Sequence, residues 1–410
     1  DFLLDLTGDP ANSWFWIGES EETTLSQELR FDGATDTLDW VAGLYYLKID
    51  NQSVHGLGAL PNSSFAVNGE GYDIPRIADL QSESYSAFGQ VEHQLSDTLT
   101  VIGGLRVSRE LKDYNFETIF VPTTIENNRP KKWDYAGGFS YGTYENDDDS
   151  DTLWNWKAQL NWRLSSDFLV YAGVTQGSKA GSFNSGDASL LNNNGAAIPY
   201  RPEKLISYEA GFKSSVMDER LRFNASAFYY DYKDYQAAQW GGLSSVIINA
   251  DAYFYGVETE IIGSVTPDLA VSFNVGWQQN TVKDVPVGAG VADRETTFAP
   301  EWTVSGLARY TYPEHVFGGQ ISFQMSGSYQ SAVWHNLNNF DANRLPSYTL
   351  VDARISWVSA DDRFIIAAFG KNIFDERYDS IGFDEAILIG GSLNAPGKPE
   401  QFGANFTMHF

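Results

Sequence analysis

Apolar and polar residues alternate along this chain in segments of roughly ten to fifteen residues, and no stretch carries a convincing helical period instead. The clearest segment is the last, Gln401 to Phe410. Phe402, Ala404, Phe406, Met408 and Phe410 fall on one side, and Gln401, Gly403, Asn405, Thr407 and His409 on the other. A period of two describes a strand with one apolar and one wet face. Ten residues is also about the length of a tilted strand crossing a bilayer. The pattern recurs at Trp154–Leu164, with Trp154, Trp156, Ala158, Leu160, Trp162 and Leu164 opposite Asn155, Lys157, Gln159, Asn161 and Arg163. It recurs again at Ile206–Lys213, Leu269–Gln278 and Ile321–Gln330.

Fifteen strands are predicted, at 22–32, 38–51, 84–95, 99–111, 151–164, 168–181, 204–216, 220–234, 250–265, 269–282, 301–312, 317–331, 347–359, 364–378 and 401–410. The spacers between them alternate in length. Short ones fall at 33–37, 96–98, 165–167, 217–219, 266–268, 313–316 and 360–363. Long ones fall at 52–83, 112–150, 182–203, 235–249, 283–300, 332–346 and 379–400. Short turns at one end and long loops at the other describe an all-β, antiparallel, up-and-down transmembrane barrel. The polar face carries ions (Lys157, Arg163, Glu209, Lys213, Arg222), which suits a watery lumen and not a packed core.

Composition agrees. The chain has 410 residues, 15% aromatic, and no cysteine, so disulfides and thiolate metal sites are excluded. A formal net charge of −27 argues against a nucleic-acid partner, which needs a basic surface. Mean hydropathy is −0.31, and the longest clean apolar run, Phe364 to Phe369, is too short for a membrane-spanning helix. Bacterial single-chain barrels close with an even number of strands, and an open sheet edge in lipid leaves unpaired backbone groups. An odd count of fifteen, and a start at Asp1 without a leader, therefore predict that 1–410 is the C-terminal part of a larger barrel.

Several segments resemble the TonB-dependent outer-membrane receptors. Tyr171–Asn184 is similar to the family's strand ending in Gly-Tyr-Lys-Ser-Gly-Gly-Phe-Asn, with Ser178, Ala180 and Ser182 in place of Tyr, Ser and Gly. Arg201–Lys204 followed by Ser207–Lys213 resembles its Pro-Glu…Tyr-Glu-hydrophobic-Gly-x-Lys strand. Phe228–Gln236 resembles its Phe-Tyr-x-x-Tyr-x-Asp-x-Gln pattern, and Gly370–Tyr378 its penultimate-strand signature. The resemblance runs through the chain in order. It implies a barrel of about 22 strands around a plug, with the first strands, the plug and the TonB-binding segment upstream of Asp1. It further implies a Gram-negative outer-membrane location, a periplasmic C-terminus and extracellular long loops. The terminal Phe410 would be read by the barrel-assembly machinery.

Enzyme motifs fail on inspection. Gly138–Gly142 fits Gly-x-Ser-x-Gly, but that chemistry needs a strand–turn–helix elbow, and here a long loop with no following helix is expected. Asp147, Asp149 and Asp151 open like a calcium loop, yet Thr152 and Ala158 stand where Gly and Glu are required. Such carboxylates could instead bridge cations at a lipopolysaccharide surface. The five histidines have no metal-ligand spacing, no phosphate-cradling loop occurs, and no cofactor, metal site or enzymatic activity is expected.

What remains is binding. Aromatic and polar residues in the long loops are candidates to close over a small nutrient: Trp133, Tyr135, Tyr141, Tyr144, Trp240, Trp334, His335, Asn336 and Phe340. Aromatics also build interfacial girdles, so each has an ordinary structural reading beside the functional one. The resemblance implies an importer, with a ferric siderophore the commonest cargo, energised by the TonB–ExbB–ExbD complex through the plug. A passive porin and a surface receptor or adhesin are the alternatives. Outer-membrane lipid and lipopolysaccharide are the expected surroundings.

Overall fold

The computed structural model describes residues 2–5, 14–59, 72–122, 125–126, 129–130, 139–184, 199–241, 244–385 and 391–410. Over these, the alternating segments form one antiparallel sheet in which consecutive strands lie side by side. Its members are β1 (Phe2–Asp5), β2 (Trp14–Ala34), β3 (Leu38–Ala59), β4 (Tyr72–Ser96), β5 (Leu99–Pro122), β6 (Phe139–Ser165) and β7 (Phe168–Lys179). They continue with β8 (Glu203–Val216), β9 (Leu221–Gly241), β10 (Ser244–Thr266), β11 (Leu269–Val287), β12 (Gly290–Arg294) and β13 (Trp302–Thr311). The last are β14 (Gly319–Gln330), β15 (Tyr348–Ser359), β16 (Phe364–Lys371) and β17 (Gln401–Met408). Each predicted strand has its counterpart; β1 and β12 are additional short ones.

Exposure identifies the solvent on each face. Trp154, Leu160 and Trp162 are 53%, 43% and 50% exposed, whereas Ser84, Ser86 and Ser108 are buried. A water-soluble fold would reverse that order. The apolar face therefore meets lipid, and the polar face lines the lumen. Aromatic pairs band the apolar face near the long loops, with ring centroids 5.0 Å apart for Tyr46–Tyr85, 6.4 Å for Tyr208–Tyr229 and 6.3 Å for Trp277–Trp302. Phe168–Phe212 and Phe364–Phe406 do the same near the short turns.

Local chemistry closes the short turns. A Ser or Thr hydroxyl at the strand end accepts the N–H two residues on: Thr35 from Thr37 at 3.4 Å, Ser96 from Thr98 at 3.4 Å, Ser165 from Asp167 at 3.3 Å and Thr266 from Asp268 at 3.3 Å. Met217, Asp218 and Glu219 instead turn through three successive positive φ values of 58°, 56° and 63°, a costly conformation for residues with a Cβ.

Strand ends differ from expectation. The predicted loop 112–150 is largely ladder: Lys112 pairs with Asp149, Glu117 with Thr143 and Phe120 with Phe139. Phe139 to Gly142, the body of the Gly-x-Ser-x-Gly match, lies within strand β6 and not in a loop. The predicted end at 111 marked where apolar alternation stops. Backbone pairing continues beyond the bilayer, where neither face must be greasy. In the other direction, β16 stops at Lys371, short of the predicted 378. There Asn372 turns through φ 47°, and its side chain donates to Glu376 O and Lys398 O while accepting from Glu376 N.

Apolar cores among the described residues sit at the long-loop end, above the lipid-facing band. One joins Ala237, Ala252, Val282, Val285 and Leu337, with Tyr232 and Phe254 packed against them. Another joins Ala78, Tyr114, Phe116 and Phe183.

Candidate functional site

A lumen needs polar groups that water or a ligand can reach, and alternation places them. Odd residues of β7 and β8 and even residues of β9, β10 and β11 share the inner face, as the registers Gly211↔Tyr171, Gly211↔Ser226, Ser226↔Glu258 and Glu258↔Gly276 show. They line a concavity of about 450 Å³ bounded by Tyr171, Lys213, Asn224, Ser226, Glu258, Glu260, Asn274 and Thr303. Tyr171 donates its hydroxyl to Glu209 Oε1 at 2.7 Å, and Asn224 Nδ2 donates to Glu260 Oε2 at 2.8 Å. Gly211 makes this possible, because a Cβ there would stand 2.8 Å from the Tyr171 hydroxyl and 2.5 Å from Ala225 O.

The wall formed by β14 to β17 is ionic as well. Arg354 and Lys371 line a second concavity of about 390 Å³ with Asp352, Gln324, Ser326 and Asn405. Further round, Arg106 lies over the Tyr45 ring at 5.2 Å and donates to Ser86 Oγ at 2.9 Å. The lumen wall thus carries both signs, with Lys213 beside Glu258 and Glu260 on one side and Asp352 beside Arg354 and Lys371 on the other. In sequence, Glu209 reads only as an ion of the polar face. The partnership of Glu209, Glu258 and Glu260 across three strands has no local signal, because it depends on register.

At the mouth, the long loops interlock. Asn336, 2% exposed, donates to Trp240 O at 3.2 Å and to Asp384 Oδ2 at 2.7 Å, and accepts from Asn338 N. Gln239 donates to Pro286 O and Asn338 Oδ1. His335 is buried beneath Gly382, with Nε2 3.0 Å from Ser392 Oγ. Burial pushes its pKa below the ordinary 6.5, against a smaller opposing pull from Asp384.

The predicted loop residues separate accordingly. His335 and Asn336 spend their polar groups inside the loop packing. Trp334 lies half-buried, with the Arg344 guanidinium 5.8 Å from its ring. Phe340 projects, 51% exposed. The Trp240 indole N–H is buried and meets no acceptor among the described residues. Trp133 and Tyr135 lie outside the described residues, as do the side chains of Tyr141 and Tyr144, whose backbones belong to β6. Asp147, Asp149 and Asp151 are extended in β6, and Asp151 Oδ2 accepts from Gly181 N at 3.2 Å. No cluster of three metal-capable side chains forms among the described residues.

Residues 5–373 match the family model described as TonB dependent receptor-like, beta-barrel. The pesticin receptor of Yersinia pestis is 24% identical over 376 residues, covering 87% of this chain and 48% of that protein. The catecholate siderophore receptor Fiu of Escherichia coli K12 is 22% identical over 349 residues, covering 81% and 42%. The chain thus spans about half the length of these curated relatives or less. Among solved structures, the ferric yersiniabactin uptake receptor FyuA from Yersinia pestis aligns with a TM-score of 0.76 at 19% identity, over 97% of this chain and 56% of that one. The copper transporter OprC aligns at 0.69 and 15% identity, over 97% and 58%. At these identities the structural likeness speaks to the fold.

Proposed function

Because this chain belongs to the TonB-dependent receptor β-barrel family, we propose that it forms much of the wall of an outer-membrane importer for a scarce nutrient. The observation that carries this reading is the ion-lined lumen behind a lipid-facing apolar wall, with ordered loops packed over its mouth. In this reading 1–410 supplies the C-terminal strands. The remaining strands and a plug belong to the upstream part of the protein, in keeping with relatives about twice this length. The wall carrying Glu209, Glu258 and Glu260 offers a plug carboxylates to hold its basic side chains, charges that matter more in a narrow lumen than in bulk water. The long loops are extracellular, and Phe410 ends the chain on the periplasmic side.

The cargo in this reading is a ferric siderophore, supported by the likeness to the catecholate siderophore receptor Fiu and to FyuA, an uptake receptor for ferric yersiniabactin. It would be captured by the loop aromatics, Phe340, Trp334 and Trp240 among the described residues, together with Trp133, Tyr135, Tyr141 and Tyr144. The TonB–ExbB–ExbD complex would energise its release into the lumen through the plug. No bond is made or broken, and the work of the barrel is binding and gating.

Uptake of radiolabelled ferric siderophores by cells expressing the full-length protein, with and without TonB, tests this. TonB-dependent accumulation of an iron chelate is expected. Undiminished entry without TonB would make the barrel a passive channel. TonB-dependent uptake of copper, cobalamin or an oligosaccharide, with no iron chelate taken up, would keep the importer and replace its cargo.

A further inference from the structure

We infer that the connection from β7 to β8 folds inward as a fixed bar across the mouth, and that Phe183 and Asn184 decide which part of the wall a bulky cargo can reach. The inference rests on the extracellular placement of the long loops proposed above. The connection begins as a continuation of its strands. Lys179 pairs with Glu203, and the rungs Ser182–Tyr200 and Phe183–Pro199 keep the same register. Between them the ladder breaks at Ala180–Gly181 and Arg201–Pro202. Pro202 has no N–H to give to a ladder, and a Cβ at Gly181 would stand 2.5 Å from Tyr200 O.

Side chains from the flanking strands fill this gap. Gln236 Nε2 donates to Ala180 O at 2.8 Å and to Arg201 O at 3.2 Å, while Gln236 N–H donates to Glu203 Oε2 at 2.7 Å. On the other flank Gly181 N–H donates to Asp151 Oδ2 at 3.2 Å. The break is therefore a built corner, and three of the segments singled out in the sequence (171–184, 201–204 and 228–236) meet at it.

Past the corner, two adjacent residues reach opposite ways. Phe183, 7% exposed, stacks on Tyr114 of β5 with ring centroids 5.2 Å apart and planes 5° from parallel. Asn184 donates to Ile247 O of β10 at 3.0 Å and accepts from Ile247 N at 2.7 Å. Five strand spacings separate β5 from β10, about 24 Å across the sheet, yet neighbouring Cα atoms are only about 3.8 Å apart. The wall from β6 to β9 thus curves behind the connection, which closes it as a chord closes an arc. Opening the bar would strip both backbone groups of Ile247 and uncover two buried rings together, so it stays shut. Thr175 and Ser207, paired on the inner faces of β7 and β8, lie beneath it. A bulky cargo is kept off this sector and descends beside another part of the wall.

Cysteine accessibility in intact cells expressing the full-length protein tests this, because residues 1–410 contain no cysteine of their own. Thr175→Cys under the bar and Ser26→Cys on the inner face of β2, both exposed positions, are treated from outside with a small sulfonated maleimide and a polyethylene glycol maleimide. Thr175→Cys should react with the small reagent and resist the large one. Adding F183A/N184A should raise its reaction with the large reagent at least about tenfold, the ratio that about 1.4 kcal/mol of lost contact represents. F183Y, which keeps the ring, should leave it low, and Ser26→Cys should not respond to either change. Reaction of Thr175→Cys with the large reagent behind an intact bar, or no rise in F183A/N184A, overturns the inference. So does an equal rise at Ser26→Cys, which would mean that the whole mouth has loosened. A rise behind the intact bar that requires TonB would make the connection an energised gate and overturn its fixity. N184A alone removes only the Ile247 bonds and serves if the double variant does not fold, with heat-modifiable gel mobility reporting folding. Val291→Cys, 65% exposed at the long-loop end, checks the orientation by itself: no labelling there by the small reagent would sink the orientation and not the bar.

Discussion

Tyr171 reaches over Gly211 to place its hydroxyl 2.7 Å from Glu209 Oε1, tying β7 to β8 on the lumen wall. The bond needs both the ring and the missing Cβ. Tyr171→Phe should cost about 1 kcal/mol, one neutral-to-charged hydrogen bond in a partly wet site. Gly211→Ala should cost more, about 1–3 kcal/mol, since its Cβ would press on Ala225 O and the Tyr171 hydroxyl. Urea unfolding in detergent, followed by tryptophan fluorescence, gives both values. Equal stability of Gly211→Ala and the wild type would contradict the close approach.

Adjacent residues on one strand should respond oppositely to the same charge. Leu160 faces lipid at 43% exposure, and Gln159 faces the lumen, where it donates to Asn161 Oδ1 at 2.7 Å. Leu160→Arg is expected to destabilise the barrel by about 2–4 kcal/mol near the bilayer midplane. Gln159→Arg should stay within about 1 kcal/mol of wild type. Unfolding from lipid vesicles measures the pair, and a reversed order would invert the assignment of faces.

The loops at the mouth should loosen in acid. Burial holds the His335 pKa below its ordinary 6.5, so at mildly acidic pH the opened loop binds more protons than the packed one. Stability of the packed loop therefore rises with pH in that window: it is full above about 6.5 and falls as pH drops toward the depressed folded value. The His335 amide, which donates to Asn343 O at 2.9 Å, should lose hydrogen-exchange protection between about pH 7.5 and 5.5 beyond the intrinsic rate change. His335→Gln should flatten that response.

Asn336 and Phe340 lie four positions apart, and the structure gives them different work. Asn336→Ala strips partners from Trp240 O and Asp384, and should cost about 1–3 kcal/mol of loop stability. Phe340→Ala, at an exposed position, should leave unfolding within about 0.5 kcal/mol of wild type. If Phe340 touches cargo, its loss should raise the half-saturating ligand concentration in the uptake assay without lowering the amount of folded barrel.

Phe410 is fully exposed and lies beyond both the last strand residue, Met408, and His409, whose N–H donates to Arg363 O at 2.8 Å. Phe410→Ala should therefore leave the unfolding midpoint of assembled protein unchanged while reducing how much reaches the membrane. A lowered midpoint would show that the terminal ring packs, and would remove the reason to treat it as an assembly signal.

The strand order, the two faces and the alternation of short turns with long loops are all decided by the sequence, because a period of two and a bilayer on one side leave a strand little choice. Trp154 and Leu160 could only face lipid, and Lys157 and Gln159 only the lumen. Strand ends were not decided there. Above the bilayer the pairing of Lys112 with Asp149 follows from the partner strand and leaves no apolar period behind. Nor could local pattern distinguish His335 and Asn336, which fill the loop core, from Phe340, which projects. Their roles depend on Trp240, Asp384 and Ser392, dozens of residues away in the chain. The same holds for Glu209, Glu258 and Glu260. Register between strands far apart in sequence gathers them onto one wall, and only the folded sheet sets that register.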